Sequence, residues 1–182
     1  MAYIPRLDST GILNNPKWYS RNPFYTSGYG MPNCTCYAWG RFWEIGDPLS
    51  VGSNKPVGLP TSDGGSWWGD NQQTGNYESG QTPQLGAVIC FSDNYGGSGH
   101  VAIVEHIDDV TGDLICSNSA WRGTYFFTSN VYASNGYNWS HYTFQGFIYN
   151  PNVEPTPPTP PTSEKKHKFP WFLYFRKRRL NY

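Results

Sequence analysis

Residues 34–45, CTCYAWGRFWEI, decide the fold, because their apolar side chains recur at the spacing of an amphipathic helix. Asn33 stands directly before this run, where an N-cap is expected, and its side chain is of a type that accepts hydrogen bonds from a first helical turn. Gly46 follows the run, and Pro48 prevents its continuation. The segment therefore predicts one helix that begins at Cys34.

After this helix, the sequence changes to short apolar runs with β-branched residues, which are typical of buried strands. A second, shorter helix is predicted before them at residues 63–73, with Ser62 or Asp63 as its cap and Gly75 after its end. Five strands are predicted, at residues 85–91, 100–107, 113–119, 124–129 and 144–150. Helices first and strands afterwards indicate an α+β fold with an antiparallel sheet.

Composition divides the 182 residues into three zones. Residues 1–150 are predicted to form one globular domain, 151–163 (PNVEPTPPTPPTS) an extended Pro/Thr linker, and 164–182 a basic aromatic tail. Aromatic residues make up 18% of the chain and charged residues only 14%. This profile is common in extracellular domains that bind polysaccharide, because flat rings stack on sugars, and equally in small β-rich domains with aromatic cores.

The formal net charge of zero conceals an uneven distribution. Seven of the 13 Lys and Arg residues lie in the last eighteen positions, whereas residues 1–150 carry six basic and eleven acidic residues, which gives −5. The tail is predicted to bind an anionic membrane surface or wall polymers such as teichoic acids, or else to be a charged tail without a specific role. No nucleic-acid partner is expected, because the body is acidic and carries no recognition motif.

The first eleven residues have neither the charged start nor the apolar centre of a secretory signal. No apolar run approaches the roughly eighteen residues of a membrane span. A substrate outside the membrane would therefore be reached by lysis, through a holin-type pore made by another protein, or from a virus particle. The protein is expected to be a monomer unless it is part of such a particle.

Cys34 is the first candidate for chemistry, because it begins the predicted helix. A helix start lowers a thiol pKa through aligned peptide dipoles and unpaired N–H groups, which favours the nucleophilic thiolate. The Cys34 backbone N–H can also help to bind the oxyanion of a tetrahedral intermediate. Cys36 lies about 200° around the helix and is interpreted as a core residue. The four cysteines are expected to be reduced, because two of them are only one residue apart.

His100 is the candidate base, because it follows a glycine-rich loop at the start of a buried strand and can reach a cleft. The segment 100–119 is interpreted as a hairpin that turns near residues 109–112. This hairpin brings His100 opposite residues 117–121, SNSAW, where Asn118 can hold the ring nitrogen that is not used in catalysis. Cys–His–Asn is a working arrangement of cysteine hydrolases.

Four segments together resemble the CHAP family, the cysteine- and histidine-dependent amidohydrolases/peptidases of bacterial and bacteriophage wall lysis. They are NCTCYAWGR (33–41), TPQLGAVICF (82–91), GHVAIVEHI (99–107) and SNSAW (117–121). The resemblance covers about residues 18–150. The first and third segments, in this order and with a Pro-x-x-Gly strand between them, are fairly specific as a pair.

The resemblance implies a papain-like α+β fold, with a cysteine-bearing helix packed on a small antiparallel, barrel-like sheet. It implies cleavage of an amide bond in peptidoglycan, by an amidase or an endopeptidase, with Cys34 as nucleophile and His100 as base. Many members carry Glu where this chain has Asn118, and a neutral amide stabilises an imidazolium less than a carboxylate does. The loop before Cys34, SGYGMPN, lacks the acidic cluster that some members use for calcium, so neither a metal nor a cofactor is expected.

Three tryptophans are expected near the substrate groove: Trp67, Trp68 and Trp121. The leading hypothesis is an antimicrobial phage-type lysin, either an endolysin or a lysin carried on the virus particle. The alternative is a wall-binding or structural virion module without catalysis, which would have no need of a thiol at a helix start. An intracellular thiol protease is a third, weaker interpretation, because the tail and the wall-lysin motifs disfavour it.

Overall fold

The computed structural model describes residues 3–47 and 54–154. The predictions for the basic tail, and for all of the linker beyond residue 154, lie outside the described residues. The boundaries between the three zones therefore stay predictions.

Three helices precede the sheet: α1 (Pro23–Thr26), α2 (Cys34–Gly46) and α3 (Trp67–Thr74). The helix predicted at 34–45 is confirmed, and Asn33 caps it by accepting a hydrogen bond from the Thr35 N–H. A 3₁₀ turn, Gly64–Ser66, leads into α3, which ends at Gly75 in the left-handed conformation. Asp63 occupies the N-cap position of this turn without a capping side-chain hydrogen bond, and the Ser62 hydroxyl binds the Asp70 carboxylate instead.

Six antiparallel strands form one sheet in the order β1-β6-β2-β3-β4-β5. Their bounds are β1 Ser79–Gly80, β2 Val88–Asp93, β3 His100–Ile107, β4 Leu114–Asn118, β5 Phe127–Val131 and β6 Tyr142–Ile148. The predicted α+β class, with N-terminal helices packed on an antiparallel sheet, is confirmed. No helix among residues 3–47 and 54–154 is long and apolar enough to cross a membrane.

Some predicted strand bounds are wrong by two or three residues. The strand predicted at 85–91 begins only at Val88, because Gly86 takes a φ of +72° that only a turn accommodates. The strand predicted at 124–129 is shifted to Phe127–Val131, and the last strand begins at Tyr142 rather than at Phe144. The strand predicted at 100–107 is confirmed.

Successive residues of β3 point to two different cores. Val101 and Ile103 face the helices, where they pack in a cluster with Trp43 and other side chains of α2. Ala102 and Val104 face the opposite side of the sheet and pack with Phe91. This alternation makes β3 the strand to which both layers attach, and it accounts for the continuous apolar sequence of that strand.

A buried charge network joins α2 to the sheet. The fully buried Glu105 of β3 accepts two hydrogen bonds of 2.9 Å from Arg41 of α2, and one of 2.7 Å from the Ser117 hydroxyl of β4. The backbone N–H of Arg6 and the hydroxyl of Tyr3 also donate to Glu105. One carboxylate thus connects the N-terminal segment, α2, β3 and β4.

Candidate active site

The start of α2 is fastened to the end of β4. The Asn33 side chain accepts from the Thr35 N–H at 2.9 Å and from the Thr35 hydroxyl at 2.8 Å, which stabilises the first turn. The Asn33 N–H donates to the Ser119 hydroxyl oxygen at 3.0 Å. This bond fixes Cys34, the next residue, close to the segment that follows Asn118.

Cys34 differs from the other three cysteines in its exposure. Its side chain is half-buried, whereas Cys36, Cys90 and Cys116 are fully buried, and all four are reduced. The Cys36 thiol donates to the Trp18 carbonyl at 3.4 Å, which confirms that Cys36 is a core residue.

Opposing influences act on the pKa of the Cys34 thiol. Burial raises its pKa to about 11, although the backbone N–H groups of Val101, Thr35 and Cys34 itself act in the opposite direction. The N–H groups of the helix start lower the pKa, as the sequence predicted, but desolvation of the sulfur raises it by more. Because the backbone N–H of Val101 is one of the groups that lower this pKa, the thiol lies near the peptide bond between His100 and Val101.

His100 and Asn118 meet across the β3–β4 hairpin. The register pairs Ile103 with Ser117, so His100 and Asn118 lie on the same face of neighbouring strands. The His100 Nε2 atom is 3.0 Å from the Asn118 Oδ1 atom. The hydrogen bond expected from the sequence is therefore present.

The orientation of the Asn118 amide determines the tautomer of His100. The Asn118 Nδ2 group donates to the Cys116 carbonyl and to the Ser129 hydroxyl, each at 2.9 Å. A carbonyl oxygen can only accept, so the Asn118 Oδ1 atom must be the one that faces the imidazole. Since Oδ1 is an acceptor, the Nε2 atom of a neutral His100 carries the proton and Nδ1 is left with its lone pair.

A glycine explains how His100 is brought to this position. Gly99 takes a φ of +69°, and a Cβ there would lie 2.3 Å from the Gly65 Cα. The loop before β3 thus packs directly on the 3₁₀ turn before α3, and only glycine permits this approach.

Aromatic side chains enclose His100, and the sequence analysis missed them. The imidazole centroid lies 5.3 Å from Trp139, 5.6 Å from Tyr142 and 6.4 Å from Phe91. Burial lowers the pKa of His100 to about 4, whereas the hydrogen bond to Asn118 raises it. The density of aromatic residues in YNWSHYTF (137–144) was a signal for this enclosure, but it did not indicate which residue is enclosed.

We expect the burial of His100 to make the fold sensitive to acid. The pKa is about 4 in the folded state and 6.5 in the reference state, so the unfolded chain binds the extra proton between these values. The contribution to stability is fully present above pH 6.5 and is lost as the pH falls towards 4, by about 3 kcal/mol. Urea unfolding at several pH values in this window measures the loss.

The exposed His106, on the same strand, provides the control. His106→Gln should retain the dependence of the unfolding free energy on pH, and His100→Gln should flatten it. An unchanged dependence in His100→Gln would contradict the assignment to His100.

The three tryptophans expected near the groove lie in different environments. Trp67 is fully buried and stacks on Phe24 with ring centroids 6.1 Å apart, so it belongs to the core and the expectation is corrected. A fully buried ring has no surface left for a ligand. Trp68 is half-buried against the same core, and Trp121 is 47% exposed.

Within the described ranges, no group of three or more His, Cys, Asp or Glu side chains is arranged to hold a metal ion. Acidic groups near the site are Asp63, whose charge raises the pKa of Cys34, and Asp93, which contacts His141 at 3.5 Å.

Comparison with known families identifies the class of protein to which this chain belongs. The model of the CHAP domain matches residues 24–119, more than half of the chain, and the chain therefore belongs to the CHAP family. The resemblance carried by the four sequence segments is thus confirmed.

One solved structure that resembles this chain is an N-acetylmuramoyl-L-alanine amidase from Staphylococcus aureus. The two share 23% sequence identity with a TM-score of 0.47, over 66% of this chain and 32% of that one. The protein thus spans about a third of the length of that amidase.

Proposed function

We propose that this protein is a peptidoglycan hydrolase that cleaves an amide bond of the bacterial wall, with Cys34 as nucleophile and His100 as general base. Membership in the CHAP family supports the hydrolase. The observation that carries the residue roles is the 3.0 Å hydrogen bond between His100 and Asn118, because it leaves the Nδ1 atom of a neutral imidazole as the base.

In this proposal, the Cys34 thiol transfers its proton to the His100 Nδ1 atom as the sulfur attacks the scissile carbonyl carbon. The backbone N–H of Cys34 binds the oxyanion. The imidazolium then protonates the leaving amine, and a thioester remains on Cys34. Water attacks the thioester with His100 as base, which releases the carboxylic acid and restores the thiol. Asn118 orients the ring throughout by accepting from Nε2–H.

Analysis of reaction products tests this function. Purified peptidoglycan is digested with the protein and with its Cys34→Ala variant, and the new termini are identified by mass spectrometry. A new alanine amine together with a free muramoyl carboxylate defines an amidase, and a new amine within the peptide defines an endopeptidase. Equal products from both proteins would favour the alternative, a wall-binding or structural module without catalysis.

The orienting role of Asn118 predicts a graded result. His100→Ala should lower the turnover rate by about 10²–10⁴-fold, because the base is removed. Asn118→Ala should lower it by a smaller factor, because the base remains and only its orientation is lost. Asn118→Asp should raise the pKa of His100 and move the acid limb of the rate profile to higher pH. Rates of wall-fragment release against pH measure all three variants.

Two outcomes would contradict this graded result. If Asn118→Ala is as inactive as His100→Ala, orientation contributes as much as the base itself. If Asn118→Ala is fully active, the residue that orients His100 is another one.

We also infer that this protein is a phage-type lysin that acts at the bacterial wall. It would act either during lysis of the host or as a component of the virus particle, and the wall-lysin motifs support this inference. Mass spectrometry of purified virus particles distinguishes these two roles.

The seven cations among the last eighteen residues support binding of the tail to an anionic membrane surface or wall polymer. Binding of the whole protein to anionic vesicles should then weaken as salt rises.

A further inference from the structure

An open cleft of about 390 Å³ lies beside the start of α2. One wall comes from the segment before Cys34, through Tyr25, Met31 and Pro32, and the other comes from Trp121 and Arg122 after β4. The hydrogen bond from the Asn33 N–H to Ser119 joins these two walls at their base. Because Pro32 is two residues from Cys34 and Trp121 is three residues from Asn118, the cleft adjoins the proposed catalytic residues.

Exposed aromatic rings are concentrated at this cleft. Five aromatic side chains among the described residues are at least 44% exposed. Tyr25 and Trp121 are two of them and line the cleft, and a third, Tyr29, lies beside Trp121. The rings of Tyr29 and Trp121 are 5.9 Å apart, and the guanidinium carbon of Arg122 lies 5.1 Å from the Trp121 ring. Exposed rings in mutual contact form a surface on which a ligand can stack.

Arg122 is an exposed cation without a carboxylate partner in the part of the chain that the structure describes. Among residues 3–47 and 54–154, no carboxylate forms an ion pair with Arg122. The Arg122 N–H donates to the Pro32 carbonyl at 3.3 Å, and its φ is +52°, an unusual value for a residue with a side chain. The backbone of Arg122 is thus attached to the opposite wall of the cleft, and its guanidinium lies over the Trp121 ring.

We propose that this cleft binds a free carboxylate of the peptide portion of peptidoglycan, with Arg122 as the residue that recognises it. The proposal rests on the hydrolase function proposed above. A guanidinium forms two parallel hydrogen bonds with a carboxylate, and the Trp121 ring covers the adjoining apolar part of the ligand. Residues 1–150 carry a formal charge of −5, so within them an exposed cation is the feature that can attract an anionic peptide.

Two muropeptides that differ only in a free carboxylate or a neutral amide at the same position provide the test. For Arg122→Gln, the KM for the carboxylate substrate should rise about tenfold, with kcat unchanged, because one charge-assisted contact is lost. The KM for the amidated substrate should not change. Arg122→Lys should raise the KM for the carboxylate substrate less than Arg122→Gln does. An ammonium keeps the positive charge but cannot form the two parallel hydrogen bonds of a guanidinium.

Lys55→Gln is the matched control, because Lys55 is also exposed and lies over Trp39, away from the cleft. It changes the net charge equally and should leave both KM values unchanged. An equal effect of Lys55→Gln and Arg122→Gln would reduce the proposal to a general charge effect and overturn it. Thermal unfolding checks that both variants are folded.

The failures of the two proposals are distinguishable. If the wild-type protein cleaves both muropeptides and Arg122→Gln does so with unchanged KM values, the cleft proposal is wrong and the hydrolase stands. If the wild-type protein cleaves neither, the hydrolase is wrong. Calorimetric titration of the Cys34→Ala protein with the two muropeptides then tests the cleft proposal separately. Equal affinity for the two muropeptides, or no binding of either, would overturn that proposal.

Discussion

Replacing Cys34 with alanine is expected to abolish release of fragments from purified walls, by about 10⁴-fold or more. The reason is chemical, since the proposed reaction passes through a thioester and every cysteine other than Cys34 is buried. Cys36, Cys90 and Cys116 are fully buried. Loss of turbidity and mass analysis of the released fragments measure the effect.

Cys36→Ala is the matched control for this variant. Cys36 lies on the same helix, and its thiol donates a hydrogen bond to the Trp18 carbonyl in the core. The variant should therefore lose some stability but retain activity. Iodoacetamide should inactivate the wild-type protein and label Cys34 first. Full lysis by Cys34→Ala, or first labelling at another cysteine, would refute the assignment of the nucleophile.

The second large effect is expected on stability. Glu105→Ala should lower the free energy of unfolding by about 3–5 kcal/mol, because it leaves the guanidinium of Arg41 buried without its main partner. Arg41 is 5% exposed and Glu105 is fully buried. The same change removes the acceptor of the Ser117 hydroxyl and of the Arg6 N–H. Urea unfolding monitored by circular dichroism measures the loss.

Two further variants sharpen this test. Asp109→Ala, which removes an exposed carboxylate in the turn between β3 and β4, should change stability by no more than about 0.5 kcal/mol. Glu105→Gln keeps the shape and an acceptor oxygen but not the charge, so its loss of stability should lie between those of Asp109→Ala and Glu105→Ala. A loss below about 1 kcal/mol for Glu105→Ala would show that Glu44, which also binds Arg41, is a sufficient partner.

The sequence by itself determined the elements whose signals are local. The helix at Cys34–Gly46 follows from apolar spacing and the Asn33 cap, and β3 follows from an apolar run between a glycine loop and a turn. The order of helices before strands determined the α+β class. The His100–Asn118 bond was predictable as well, because hairpin geometry relates two residues only eighteen positions apart.

Only the tertiary structure decided the features that depend on distant contacts. Arg41 and Glu105 are 64 residues apart. Tyr142 is brought near His100 by the pairing of β6 with β2, and Trp139 by its bridge to Tyr142. Three further features also depend on distant contacts: the burial of Trp67, the pairing of the two cleft walls and the direction of the Cys34 pKa shift. Each depends on how much water is removed from a side chain, and desolvation is set by packing of segments that are remote in sequence.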